Sequence, residues 1–344
     1  MRTDELDFDL PPELIAQAPV AERAASRLLH YRTGERTIAH RRFSDLPGLL
    51  RAGDLLVFND TRVIPARFAL RKSTGGRVEG LFLSELTPGR WHVMLKNAGG
   101  AAELSFADAP DVTARTAAAR DDGTYEIELS TPSPAAELLA RVGRMPLPPY
   151  IKREKDHDDR DELDRARYQT VYARQSGSIA APTAGLHFTD ELLRELDDRG
   201  IERVSVTLHV GLGTFKPVTA ESLEAHQMHS EHYTIDEPTA AALSRAKQQG
   251  RRLIAVGTTA ARVLESQPPG PDFQPVSAET RIFIHPPYQW RHVGALITNF
   301  HLPRSTLIAL VAARVGLDEQ RRIYREAIEQ RYRFFSYGDA SFLE

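Results

Sequence analysis

The chain has 344 residues, no cysteine and a net charge of −3, with 41% hydrophobic and 26% charged residues. That is length for about two domains and the composition of an ordinary globular protein. The missing cysteines exclude disulfides, thiolate-ligated zinc, iron–sulfur clusters and thiol nucleophiles, and the negative charge means that a nucleic acid would have to be met by a local basic patch.

In chain order, no apolar run reaches the ~18 residues of a transmembrane helix, so no membrane association is expected. The acidic start Met1-Arg2-Thr3-Asp4-Glu5 does not resemble a signal peptide, and a cytoplasmic location is expected. Pro11-Pro12 opens a short helix expected over Glu13–Gln17, and Leu28-Leu29 belongs to a strand. Phe43–Leu50 reads as a helix ended by Gly53, and Asp54–Phe58 as a buried strand leading into Asn59-Asp60-Thr61-Arg62. Between Ala66 and Tyr150, short β-type runs alternate with Gly- and Pro-rich turns. This texture predicts a small all-β barrel, inserted at 66–150 into a domain made of 1–65 and 151–344. Residues 152–167 form a mixed charge run expected to be a solvated linker or exposed helix. Strands are expected over 201–210, Leu253–Val256, Thr280–Ile284 and Ala295–Ile297. Helices are expected over Pro238–Gln249, through Arg262 and Leu264, from Ser305 to Gly316 and over Glu319–Gln330. The fold class is thus α/β, a mixed and partly barrel-like sheet with helices plus the inserted β-barrel.

Three apolar strands end in polar clusters: Asn59-Asp60-Thr61, Gly257-Thr258-Thr259 and Thr298-Asn299. In sheets with helical crossovers ligands bind outside the carboxyl ends of strands, so the repeated layout points to one shared cleft. His187, His209, His226, His229, His232, His285, His292 and His301 are eight of the twelve histidines and crowd the same part of the chain. In the strand over 201–210, period two places Val204, Val206, Leu208 and Val210 on one face and His209 on the other. His209 is then either a hydrogen-bonded structural histidine or a functional one, with Gly211 and Gly213 beside it permitting close backbone approach. His226, His229 and His232 with Glu231 have the residue types of a metal site, but a loop that hydrogen-bonds a polar ligand fits their spacing better. Gly257-Thr258-Thr259 before a helix suits an anionic group or a plain cap. Asp60 is a general base or the partner of Arg62 in a turn, and Asp339 is an acid in an aromatic setting.

Several strings make the chain recognisable. They are Phe8–Pro11, Leu55–Arg67 (LLVFNDTRVIPAR), Pro146–Ile151 (PLPPYI), Arg167–Ala173 (RYQTVYA), Ala180–Thr189 (AAPTAGLHFT), Val206–Phe215 (VTLHVGLGTF), His229–Glu231, Ile254–Thr259, Leu296–Pro303 (LITNFHLP) and Tyr332–Ala340 (YRFFSYGDA). In order and over essentially the whole length, the sequence resembles the S-adenosylmethionine:tRNA ribosyltransferase-isomerase family of queuosine biosynthesis. It departs from the family's pattern at Ala24-Ala25, Ala260-Ala261, Pro286–Trp290 and Lys96–Gly100. The resemblance implies transfer and isomerisation of the ribosyl part of S-adenosylmethionine onto 7-aminomethyl-7-deazaguanine at the tRNA wobble position, with release of adenine and methionine. It implies no metal and no cofactor beyond S-adenosylmethionine, and a monomer is expected. Acid and base are expected among Asp60, His187, His209, Glu231 and Asp339. Substrate contacts are expected from Asn59, Thr61, Arg62, Thr183, Gly185, Gly211, Gly213, Thr214, His229, Gly257, Thr258, Thr259, Asn299 and His301. Contacts to tRNA are expected from Arg67, Lys152, Arg153 and Arg304. The competing readings are an RNA-binding protein with an inactive cleft and a metal-dependent hydrolase.

Overall fold

The computed structural model describes residues 1–100, 103–154, 158–211 and 218–344. Contacts divide them into two compact units, one of Met1–Arg62, Pro148–Arg153 and Gln169–Glu344, the other of Val63–Leu147 with Glu154–Tyr168. The strands in chain order are β1 Arg27–Arg32, β2 Thr37–Arg42, β3 Leu55–Asn59, β4 Thr61–Val63, β5 Arg67–Lys72, β6 Arg77–Thr87, β7 Arg90–Lys96, β8 Glu103–Phe106 and β9 Ala109–Ala119. They continue as β10 Tyr125–Leu129, β11 Gln175–Ser178, β12 Glu202–Leu208, β13 Glu231–Ile235, β14 Leu253–Val256, β15 Val276–Thr280, β16 Val293–Asn299 and β17 Ala340–Leu343. The helices are α1 Leu46–Leu49, α2 Ala135–Val142, α3 Asp161–Arg167, α4 Asp190–Asp198, α5 Glu237–Gln248, α6 Thr258–Glu265, α7 Thr306–Val315 and α8 Leu317–Glu329.

The first unit is built on a nine-stranded mixed sheet in the order β15-β13-β12-β3-β14-β16-β17-β1-β2. Its centre, β12-β3-β14-β16, is parallel throughout. A parallel strand covered on both sides reads as a continuous apolar run, and every residue of β3 and β14 is buried. Their alternate side chains feed two separate cores. Leu55, Val57, Leu253 and Ala255 join Val206 and Leu208 and the apolar faces of α5, α6, α7 and α8. Leu56, Phe58, Ile254 and Val256 pack with Phe188 and with Leu192, Leu193 and Leu196 of α4.

In the second unit β10-β7-β6-β5-β8-β9 closes into a six-stranded barrel. Trp91 is wholly buried, with the rings of Phe68, Phe82 and Phe106 packed edge-on or tilted against it and one another. Gly80 leaves room for this cluster, because a Cβ there would fall 2.1 Å from the Phe68 ring.

Three local expectations are corrected. The helix over Glu13–Gln17 shrinks to a 3-10 turn, Pro12–Leu14, because Leu14 and Ala16 pair through the backbone with Phe334. The strand expected at Thr280–Ile284 lies earlier, at Val276–Thr280, an edge strand whose Ser277 and Glu279 are its exposed half. The charge run is less solvated than its composition implies: Asp158 and Asp164 are buried, and Arg160 holds the Asp158 carboxyl well below the usual carboxylate range. No described helix is long and apolar enough to cross a membrane.

The barrel core sets a stability expectation. Trp91→Ala should cost about 3–5 kcal/mol of unfolding free energy in a urea titration. Trp91→Phe should cost clearly less, because the buried Nε1 of Trp91 has no hydrogen-bond partner to lose.

Candidate active site

Asn59 ties the carboxyl ends of β3 and β12 to the first turn of α6. Its Oδ1 accepts from the amides of Leu208 at 3.0 Å and Thr61 at 3.2 Å. Its Nδ2 donates to the carbonyl of Leu208 at 3.0 Å and to Thr259 Oγ1 at 3.2 Å. After β14, Gly257 turns with a φ of 91°, a conformation glycine adopts without the Cβ penalty. Its amide donates to the Ile297 carbonyl on β16 at 2.8 Å, and α6 starts at once with the buried Thr258 and Thr259.

A cleft of about 740 Å³ opens at these ends, lined by Thr183, Ala184, Gly257, Thr258, Thr259, Thr298, Asn299 and His301, with Val210, Tyr150, Phe335 and Ser336. Its titratable groups are held neutral. His301 Nε2 shares a 2.7 Å hydrogen bond with Thr298 Oγ1, and burial pushes its pKa down to about 3. Tyr150 and Ser336 hydroxyls lie 2.7 Å apart, and burial pushes the phenol up to about 12. Asn299 donates through Nδ2 to the Phe335 carbonyl at 3.0 Å. His187 is buried outside the cleft lining, stacked on Phe43 and 2.7 Å through Nδ1 from Ser26 Oγ. Burial pushes it down to about 3 as well.

The acids proposed from sequence are engaged elsewhere. Asp60 Oδ2 accepts from Arg174 Nε at 3.0 Å and Nη2 at 2.8 Å, and its Oδ1 accepts from Thr207 Oγ1 at 2.7 Å. The partner expected from sequence, Arg62, is exposed and reaches the Ala173 carbonyl at 3.4 Å instead. Thr61 Oγ1 lies 2.8 Å from Nδ1 of the half-buried His209, whose pKa is lowered by burial and by His232, with Asp60 opposing. The strand alternation is as expected, but Val210 rather than His209 lines the cleft. Glu231 is buried in an ion pair with Arg262 and accepts from the Gly211 amide at 3.1 Å.

A family model described as a queuosine biosynthesis protein matches residues 3–343. The chain belongs to that family. It is 48% identical over 347 residues to the S-adenosylmethionine:tRNA ribosyltransferase-isomerase of Anaeromyxobacter dehalogenans, covering 100% of this chain and 99% of that one. It is 50% identical over 346 residues to the protein of the same name from Ralstonia nicotianae, covering 98% and 94%. A crystal structure of an S-adenosylmethionine tRNA ribosyltransferase from Thermotoga maritima is 34% identical, covers 99% of this chain and 100% of that one, and aligns with a TM-score of 0.56.

In this queuosine-family chain the remaining candidates scatter. Asp339 is buried as a backbone clamp, accepting from the amides of Arg27 at 3.0 Å and Arg333 at 2.8 Å. Gly185 is a packing position, since a Cβ would fall 1.9 Å from the Tyr172 hydroxyl. Of the three spaced histidines, His226 and His229 line one second cavity, His226 packed edge-on against Phe283, while His232 contacts Ser277 Oγ at 3.1 Å on an exposed face. Among the described residues no group of three or more His, Asp or Glu could hold a metal ion. Gly213 and Thr214 lie outside the described residues. Lys152 and Arg304 are exposed and Arg153 is half-buried in the first unit, while Arg67 is half-buried in the barrel unit. Sequence reasoning did not single out Tyr150, Ser336, Arg174 or Arg262. The signal available for the first two was their presence in the strings PLPPYI and YRFFSYGDA.

The buried imidazoles of His187 and His301 make stability depend on pH with a definite sign. The unfolded chain takes up these protons near 6.5, the folded chain only near 3. Their contribution is therefore complete above about pH 6.5 and falls as pH drops, by roughly 1.4 kcal/mol per pH unit for each histidine. His301→Gln should flatten the slope of unfolding free energy against pH by that amount between about 6 and 4.5, measured by denaturant titrations at a series of pH values.

Proposed function

We propose that this chain transfers and isomerises the ribosyl part of S-adenosylmethionine onto 7-aminomethyl-7-deazaguanine at the wobble position of tRNA. The product is epoxyqueuosine, and adenine and methionine are released. The observation that supports this best is the cleft at the parallel strand ends of a queuosine-family chain, walled by uncharged hydroxyls, an amide and a neutral imidazole. A sulfonium nucleoside carries its charge on sulfur, and its sugar and base offer hydroxyls and ring nitrogens. Thr183, Thr258, Thr259 and Asn299 suit those groups as neutral donors and acceptors.

The chemistry asks for two proton events. The sulfonium acidifies the 5′ carbon, whose proton must be removed, and adenine must gain a proton to leave. Methionine departs as a neutral thioether and needs none. Among the lining residues Tyr150 is protonated at neutral pH and is oriented by Ser336, so it is assigned as the donor to the departing adenine. His301, kept neutral by burial, is assigned to orientation of the substrate.

Incubation with S-adenosylmethionine and tRNA carrying the modified base should release adenine and methionine in equal amounts. tRNA with guanine at that position should release neither. An RNA-binding protein with an inactive cleft would retain the tRNA and release nothing. Tyr150→Phe should lower the rate of adenine release by ~10²-fold or more while the thermal midpoint moves little. Full activity in that variant would remove Tyr150 from the acid role.

Lys152, Arg153 and Arg304, with Arg62 and Arg67, are proposed to meet tRNA phosphates. Each contact removed by alanine should reduce the slope of log affinity against log salt by roughly 0.7 to 0.9. An unchanged slope after all five substitutions would place the phosphate contacts on other residues.

A further inference from the structure

A second cavity opens beside the cleft, with Leu307 in the wall of both. Met228, Phe283 and Leu310 supply apolar surface, and the ion pair of Arg262 with Glu231, together with His226 and His229, supplies its polar lining. Arg262 is only 6% exposed. Its Nη1 is engaged by Glu231 and its Nε donates to the Ile282 carbonyl at 3.3 Å, but the buried Nη2 has no hydrogen-bond partner. A guanidinium N–H withheld from water and left without an acceptor is unfavourable, and buried polar groups are normally satisfied.

We propose that this cavity takes the methionine half of S-adenosylmethionine, leaving the cleft to its adenosyl half, a proposal that rests on the ribosyl-transfer reading above. The α-carboxylate is the acceptor that Arg262 Nη2 lacks. The α-ammonium meets the Glu231 carboxylate. Because the Arg262–Glu231 pair is neutral as a whole and the amino-acid group is a zwitterion, the two match charge for charge, and no net charge is buried on binding. The side chain between zwitterion and sulfur is a short apolar stem, which suits the Met228, Phe283 and Leu310 wall. Leu307, common to both cavities, marks where the two halves of the substrate join. Arg262 and Glu231 thereby become positioning residues, and Glu231 is not the acid or base that the resemblance suggested.

The probe is decarboxylated S-adenosylmethionine, which keeps the sulfonium, the adenosine and the ammonium but lacks the carboxylate. Equilibrium binding is measured by calorimetry in the presence of tRNA with guanine at the wobble position, with which no turnover is expected. The parent protein should bind S-adenosylmethionine about tenfold or more tighter than the decarboxylated compound, since a charge-assisted bond to a buried guanidinium is lost. Arg262→Met should abolish that preference. Because this variant strands the buried Glu231 and could fail to fold, Thr306→Phe is the second test. It keeps the ion pair and projects bulk into the cavity from the first turn of α7, and should weaken S-adenosylmethionine about tenfold or more while leaving adenosine affinity unchanged. Equal affinity of the parent for both sulfonium compounds, or undiminished S-adenosylmethionine binding by Thr306→Phe, overturns the assignment and leaves ribosyl transfer standing. Failure of the parent to bind S-adenosylmethionine at all overturns both.

Discussion

The side chain of Asn59 holds the candidate site in register. Through two bonds to the backbone of Leu208 it fixes the end of β12 beside the end of β3, and through Thr259 it ties both to the first turn of α6. An amide can do this because it carries donor and acceptor at once, and in a buried position each bond is protected from competition with water. A carboxylate of the same shape could accept from the amides of Leu208 and Thr61 but could not donate to the Leu208 carbonyl. The cleft is thus built on neutral hydrogen bonding before any ligand arrives.

The same economy of charge extends across the first unit. Asp60 is held by Arg174, Glu231 by Arg262, and Asp339 by two backbone amides. Breaking such a buried pair by removing one partner leaves an uncompensated charge, which is strongly destabilising. These carboxylates are therefore better suited to holding shape than to exchanging protons. The groups that face the cleft are hydroxyls, an amide, a phenol and an imidazole kept uncharged by burial. A neutral wall fits a substrate that brings its own positive charge on sulfur and sheds it as methionine departs, because the wall has no counter-ion to strand when that charge is gone.

Backbone and side-chain roles are divided accordingly. β3 and β14 bury both faces, so their apolar side chains are consumed by two cores, and chemistry is left to the residues just past each strand end. The second cavity extends that pattern to the start of β13 and the first turn of α7, from which Glu231 and Thr306 line it. Its polar lining is the Arg262–Glu231 ion pair with His226 and His229, and its apolar wall includes Met228, Phe283 and Leu310.

Much of this was readable in the residues alone. Leu55–Phe58, Leu253–Val256 and Ala295–Ile297 are apolar runs too short for helices, so they declare buried strands, and the polar clusters after them declare where a cleft would sit. Period two put His209 opposite Val206 and Leu208, and the burial of β12 follows that alternation. The sequence could not say which face of the strand the cleft adjoins, because alternation separates two faces without naming the occupied one. Nor could it pair Asp60 with Arg174 across 114 residues, Tyr150 with Ser336 across 186, or Glu231 with Arg262 across 31. Local pattern records only whether a side chain is apolar and at what spacing it recurs, whereas the partner of a buried charge or hydroxyl is chosen by which distant strand end the folded sheet brings within about 3 Å.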